Sequence, residues 1–461
     1  MRNNMNKVTV LSVAITMAVS LSTSTSAFAK ITAEQAARLS TDLTPLGAER
    51  AGNKDGSIPA WTGGITKPPA GYEVGDHHLD PYPDDKIEFT ITAKNVSKYK
   101  NVLTPGQIKL FETYPETFKM NIYKTHRSAS YPDFVYQAVL DNATRATLNE
   151  GGNGLKQAAV GIPFPIPENG LEAIWNHSLR YRGESVIREA GQAAPTASGS
   201  YTYVGLDESL ILPYNIKGAS PTELEESNIL FKFKQKVTEP ARLAGSALLV
   251  HETMDQVKTP RQAWVYNTGQ RRVRRAPNVA YDAPGTASDG LRTTDDFDMY
   301  NGAPNRYNWT LIGKQELLIP YNDYRLHSDK LKYDDILHAG HINPDLVRYE
   351  KHRVWVVEAN LKEGMRHIYK KRVFYIDEDS WQVAATDIYD NRDELYRVGI
   401  SHTVNYYEVP TLWSTLDVFH DLQSRRYIAL GLDNEADMYD FKTKLDEGDY
   451  TPAALRRDGR R

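Results

Sequence analysis

The sequence predicts an α+β protein organised around a large antiparallel β-sheet, and three observations carry that expectation. From about Ser185 onward apolar residues recur at every second position in short runs separated by turn residues. Ahead of that point they recur at three- and four-residue steps, between long loops bearing Pro and Gly. The strand-like runs follow one another and mostly alternate, so they should pair antiparallel with one face of the sheet covered.

The first 29 residues read as a cleavable secretory signal. Arg2 and Lys7 lead an apolar run over 8–21, and the small-x-small triplet Ala27-Phe28-Ala29 precedes Lys30, placing cleavage between Ala29 and Lys30. The run is too short and too interrupted by Ser and Thr to span a bilayer, which needs roughly 20 apolar residues. Thr32-Ala33-Glu34-Gln35 is a capping box opening a short helix that ends near Ser40. Residues 43–85 read as ordered loop held by Ile58 and Trp61. Helical spacing is read at Ile91–Tyr99, Thr104–Thr113, Tyr131–Asn149 and Gly170–Tyr181, with a break at Gly151-Gly152-Asn153-Gly154.

Strands are expected at Tyr201–Val204, Ser209–Tyr214, Ile229–Val237, Ala241–His251, Gln262–Tyr266 and Arg271–Arg275. Residues 276–307 form a polar insertion, followed by strands at Asn308–Ile319, Arg348–Ala359 and Leu395–Tyr407. The clearest hairpin spans Gly364–Asp390 around a loop Asp377–Ser380. The expected register sets Ile376 opposite Trp381, Phe374 opposite Val383, Arg372 opposite Ala385 and Lys370 opposite Asp387. Beyond Tyr407 the chain reads as helical or irregular. The expected organisation is therefore 1–29 signal, 30–184 a helix- and loop-rich region packed on the sheet, and 185–461 the sheet region with a helical C-terminal tail.

Composition excludes several functions. With 0 Cys there is no disulfide framework, zinc–thiolate site, thiol nucleophile or lipid-accepting cysteine. The formal charge of −4 becomes −6 once Arg2 and Lys7 are removed, which argues against a nucleic-acid partner. Beyond the signal no segment is apolar enough for stable membrane insertion. Nucleophile-elbow, phosphate-loop and dinucleotide motifs are missing, so no catalytic residue and no cofactor is assigned. His251-Glu252 lacks the second His of a zinc-protease pair. His338 and His341, His77 and His78, and the acidic run Asp387 to Glu394 read as ordinary polar residues, so no metal is assigned either. Trp264, Tyr266, Trp355, Phe374 and Trp381 are strand aromatics that pack a core or wall an apolar ligand site. Arg272 and Arg274, within an Arg-rich strand, are candidate partner-docking residues.

Four segments together resemble a known family: Leu43 to Asn53 with Ile58 to Gly64, Gly161 to Pro167 with Trp175-Asn176-His177, Tyr307-Asn308-Trp309 before Gly313 to Glu316, and Tyr450 to Arg457. That family is the proteobacterial periplasmic one catalogued as domain of unknown function thirteen-twenty-nine. The resemblance implies the fold of the LolA/LolB lipoprotein carriers, a large curved sheet like an unclosed half-barrel with helices on its concave side. It also implies a place beside envelope exporters of the resistance-nodulation-division type, and it transfers no catalytic residue. The functional expectation is a soluble periplasmic carrier or chaperone-like protein for a lipid or other apolar small molecule, not an enzyme, with an envelope exporter or outer-membrane protein as partner. The alternatives are a non-catalytic envelope scaffold that binds a partner protein, and an unrecognised hydrolase.

Overall fold

The computed structural model of the protein describes residues 31–276, 279 and 281–459. The expected signal and its Ala29–Lys30 junction lie outside the described residues. Helix α1 (Ala33–Ala37) begins with the capping box its sequence specifies: Gln35 N–H donates to the Thr32 hydroxyl at 3.2 Å, and Thr32 N–H donates to the Gln35 side chain at 2.8 Å. Strands β1 (Phe89–Thr92) and β2 (Lys119–Ile122) form a ribbon. The helical reading of Ile91–Tyr99 is corrected here, since only Val96–Lys98 makes a single 3₁₀ turn. The β-branched run Thr90-Ile91-Thr92 favours the extended backbone, and a nine-residue window is too short to fix a period. Helices α2 (Pro105–Thr113), α3 (Asp133–Arg145) and α4 (Gly170–Leu179) form as expected, and β3 (Thr147–Leu148) pairs with β4 (Leu155–Lys156) around the glycine-rich break.

The strand series then begins with β5 (Ser185–Ala193) and β6 (Tyr203–Ile211). The sequence divides β6 into two strands at Gly205, but Gly205 stays in the ladder because its backbone lies close to the 238–239 turn, where a Cβ would come within 2.7 Å of Thr238. Helix α5 (Pro221–Ser227) leads into β7 (Ile229–Val237) and β8 (Ala247–Thr253). Strand β8 starts later than expected, because Pro240–Ser246 folds as a turn. Next come β9 (Gln262–Asn267), β10 (Arg272–Arg275), the long β11 (Tyr307–Pro320), the short α6 (Tyr333–Ile336), and β12 (Tyr349–Leu361). The chain continues with β13 (Lys371–Asp377), β14 (Val383–Tyr389), β15 (Leu395–Tyr406), β16 (Thr411–Asp421) and β17 (Arg426–Leu432), and closes with α7 (Pro452–Asp458).

The irregular or helical reading beyond Tyr407 is thus corrected over 411–432. Strands β16 and β17 lie in the middle of the sheet and are buried on both faces, so the alternation that betrays a strand is lost.

Fifteen strands form one unclosed sheet. Its path runs β11-β12-β13-β14-β15-β16-β17-β5-β6-β7-β8-β9-β10, antiparallel throughout. The β1–β2 ribbon joins at the start of β12 through one parallel pairing, Tyr349 with Ile122.

The Gly364–Asp390 hairpin forms, but its register differs from the expected one. Ile376 pairs with Val383, Phe374 with Thr386, Arg372 with Ile388 and Lys371 with Tyr389. The reason is the loop, which takes in residues 378–382 and not just Asp377–Ser380. Ser380 N–H and its hydroxyl both donate to the Asp377 carboxylate, at 3.0 and 2.5 Å. Trp381 adopts φ +62° and turns into the core, donating from Nε1 to the Leu46 carbonyl at 2.9 Å. Trp381 is therefore a loop residue, and every cross-strand partner moves accordingly.

One face of the sheet, called inner here, carries Trp355, Val357 and Ala359 on β12 and Phe374 and Ile376 on β13, packed against Leu46, α3 and α4. The other face carries Val354, Val356 and Tyr375, and α2 and α7 cover parts of it. Helix α2 sits so close that a Cβ at Gly106 would meet Asp387 at 2.2 Å. Two of the segments that carry the family resemblance, Leu43 to Asn53 and Gly161 to Pro167 with Trp175-Asn176-His177, interlock on the inner face: a Cβ at Gly47 would lie 1.8 Å from the Pro165 carbonyl, and Asn176 holds Phe164 through two hydrogen bonds.

Candidate functional site

The inner face is filled at one end and hollow at the other. Over β11–β14 it is plugged by the N-terminal segment, α3 and α4. Over β5–β9 it is crossed by a strap, residues 281–301, with cavities around it. Sheet register explains which side chains face those cavities. Arg188 lies opposite Glu208, Glu208 opposite Gln235, Gln235 opposite Leu248 and Leu248 opposite Val265, and all five project to the same side. The adjoining row runs Leu210, Phe233, Val250, Ala263.

These rows divide the cavity chemically. Phe231, Phe233, Leu248, Val250 and Val265 floor an apolar chamber of about 230 Å³, roofed by Ala283, Pro284 and Phe297 of the strap. Val265 is 39% exposed at its rim. A smaller polar chamber of about 70 Å³ adjoins it, lined by Arg182, Arg188, Glu208, Asp298 and Asp417. Gln235, Arg292 and Phe297 line both chambers. A third cavity, of about 590 Å³, lies beyond Thr286 between the ends of β5 and β6 and the 238–246 turn.

Three aspartates bolt the strap to the inner face. Asp295 accepts from Arg372 at 2.5 Å and pairs with His367 at 3.1 Å, and Asp296 accepts from the Tyr369 hydroxyl at 2.8 Å. Asp298 accepts from Arg180 at 2.5 and 3.0 Å and from Arg182 at 2.6 Å, while its carbonyl accepts from His177 Nε2 at 2.8 Å. Burial alone would raise the pKa of Asp295 and Asp298; the facing arginines outweigh it and hold both carboxyls well below the usual carboxylate range. At His177 burial, with the Arg180 charge beside it, outweighs the pull of Asp298 and lowers the imidazole to about 3.

The aromatic candidates do not converge on this hollow. Trp264 and Tyr266 project from β9 to the opposite face, under α7; Val265, between them, faces the chamber. Phe374 is fully buried against Trp309 and Tyr300, whose ring centroids lie at 5.7 and 5.4 Å. Trp355 and Trp381 stack at 6.0 Å beneath the N-terminal segment, on the plugged part of the inner face. Arg272 and Arg274 stand exposed on β10, an edge strand of the sheet.

The polar candidates resolve into structural roles. His251 donates to the Tyr450 carbonyl at 2.7 Å, Glu252 pairs with Arg261 at 2.6 Å, and Asp387 accepts from Gly106 N–H at the start of α2. His78 bridges His327 at 3.1 Å and Glu408 at 2.8 Å. A cluster that sequence reasoning missed is His352, Asp377 and Asp379, buried and mutually close enough to share an ion. Asp379 is already clamped by Arg127 at 2.6 and 2.8 Å, so the cluster is charge-compensated by a guanidinium and does not fit a cation. Burial, with Asp379 beside it, raises Asp377 to about 6. The strap residues were missed too, because 276–307 has no period and its aspartates find their arginines only across the fold.

A family model described as protein of unknown function (DUF1329) matches residues 90–456. The uncharacterized protein PA3922 of Pseudomonas aeruginosa is 55% identical over 436 residues, covering 94% of this chain and 95% of that protein. Among solved structures, a DUF1329 family protein from Desulfovibrio piger is 13% identical, covers 61% of this chain and 95% of its own, and gives a TM-score of 0.43. A LolA superfamily protein from Nitrosomonas europaea is 12% identical over 60% of this chain and 93% of its own, with a TM-score of 0.36.

Proposed function

This chain belongs to the DUF1329 family, and from the hollow on its inner face we propose that it is a periplasmic, non-catalytic carrier or chaperone-like protein for a lipid or other apolar molecule. The observation that carries this reading is the strap-covered apolar chamber, floored by one face of β7–β9 and open at Val265. Concave, mostly apolar sites with a few polar groups at one end are what small apolar ligands need. Among the described residues no helix is long and apolar enough to cross a membrane. Cleavage at Ala29–Lys30 would deliver the chain to the periplasm, and Edman sequencing of the exported protein should begin at Lys30.

The test is native mass spectrometry of protein purified from its own envelope, together with binding of the neutral probe N-phenyl-1-naphthylamine. A lipid-sized adduct and saturable fluorescence are expected. A protein that is consistently bare and does not bind the probe would refute the carrier reading.

One observation favours a second reading, an envelope scaffold. Strand β10 is short, lies at a sheet edge and exposes Arg272 and Arg274, so an acidic partner, an exporter or an outer-membrane protein, has both a strand edge left unpaired among the described residues and a positive patch to engage. A partner captured by the wild type and lost on Arg272→Glu with Arg274→Glu supports that reading.

A further inference from the structure

Buried arginines are costly unless a carboxylate answers them. Those described here pair consistently: Arg127 with Asp379, Arg180 and Arg182 with Asp298, Arg261 with Glu252, Arg348 with Glu350, Arg353 with Glu378, Arg372 with Asp295 and Arg397 with Asp421. Among the described residues Arg292 is the exception. It is 8% exposed, has no carboxylate oxygen within 4.0 Å, and its Nε has no hydrogen-bond partner. Its guanidinium makes one hydrogen bond, from Nη1 to the Thr293 carbonyl at 3.3 Å.

The nearest acids accept from other donors, and the one oxygen of Asp296 left unpartnered does not reach the guanidinium. Glu208 accepts from Arg188 and Gln235, both at 2.5 Å; Asp296 accepts from Tyr369 and from Thr293 N–H, both at 2.8 Å; Asp417 accepts from Ser414 at 2.6 Å. The strap leaves room for the guanidinium at Gly285, where a Cβ would sit 2.7 Å from Arg292 Cζ. Arg292 lines both the apolar chamber and the polar one. A buried, unanswered fork of N–H donors therefore stands at the polar end of an apolar hollow.

Resting on the carrier reading, we propose that the ligand is an anionic amphiphile, its apolar chain in the Phe231–Val250–Val265 chamber and its carboxylate-like head on Arg292. A guanidinium binds such a head through two parallel charge-assisted hydrogen bonds. The apolar chamber, at about 230 Å³, falls below the roughly 300–1,000 Å³ of drug-sized sites, so it suits a chain of medium length.

The experiment titrates N-phenyl-1-naphthylamine off the purified protein with decanoate, with decanol and with acetate. Decanoate should displace it at a concentration at least about tenfold lower than decanol, and acetate should not displace it. Arg292→Met should bring decanoate and decanol within twofold while still binding the probe, and Arg292→Lys should keep part of the preference. Without ligand, Arg292→Met should match or exceed the wild-type Tm, because an unpaired buried charge is removed. Equal displacement by decanoate and decanol in the wild type overturns the proposal and leaves the carrier reading standing; that comparison decides even if a variant misfolds. A preference that survives Arg292→Met, displacement by acetate, or a lowered Tm in Arg292→Met overturns it as well. A wild type that binds neither probe nor amphiphile overturns the carrier reading and this proposal together.

Discussion

Asp298→Asn should open the strap without unfolding the sheet. Asp298 sits at φ +53° in the strap, a conformation that Asn tolerates, so the substitution keeps the backbone and the volume and removes the charge. Arg180 and Arg182, with side chains 2% and 7% exposed, then lose the one carboxylate they share. Breaking a buried pair from one side costs roughly 3–5 kcal/mol. The amide oxygen still accepts one bond, which points to the lower end, about 3 kcal/mol. At about 1.4 kcal/mol per decade that is on the order of 10²-fold in the local opening equilibrium. Hydrogen exchange followed by mass spectrometry reads it directly: peptides within 281–301 should exchange up to about a hundredfold faster, while β12–β15 keep wild-type protection. Lys370→Ala is the control, because its pair with Asp393 is 46% and 66% exposed and should change little. Strap exchange within twofold of wild type would refute the latch, and an equal rise across the whole sheet would refute its local character.

Gly47→Ala should destabilise the protein by at least about 2 kcal/mol, since φ is +85° and the new Cβ would lie 1.8 Å from the Pro165 carbonyl; a urea midpoint within error of wild type contradicts the interlock. Asp433, fully buried, is raised by burial to about 8, so between about pH 4 and 8 the folded chain keeps a proton that the unfolded chain releases. Its contribution to stability is therefore lost as pH rises through that window, by at most about 1.4 kcal/mol per pH unit. Asp433→Asn should flatten that fall, measured as urea midpoints at pH 5 and pH 8, and an unchanged slope would show that Asp433 is not its source.

Where local chemistry suffices, the sequence alone determined the structure. Thr32 with Gln35, and Thr104 with Gln107, close their capping boxes within four residues, and Ile229–Val237 alternates cleanly because one face of β7 lies on the core and the other bears lysines. Cysteine content and the absence of motifs limited the chemistry in the same direct way. Strands β16 and β17 were hidden because burial on both faces erases the period that marks a strand. The hairpin was legible and its register was not: a turn that sends Trp381 into the core to meet Leu46 is chosen by a contact 335 positions away. The site was the least legible part. Whether Trp264 or Val265 faces the hollow depends on which side of the sheet α7 covers. Arg292 looks in sequence like any other arginine, and only the folded arrangement leaves it buried with its nearest carboxylates turned to other donors or out of reach. Ion pairing over long separations is a property of the tertiary structure, because whether a charge is answered depends on the distances that the fold alone sets.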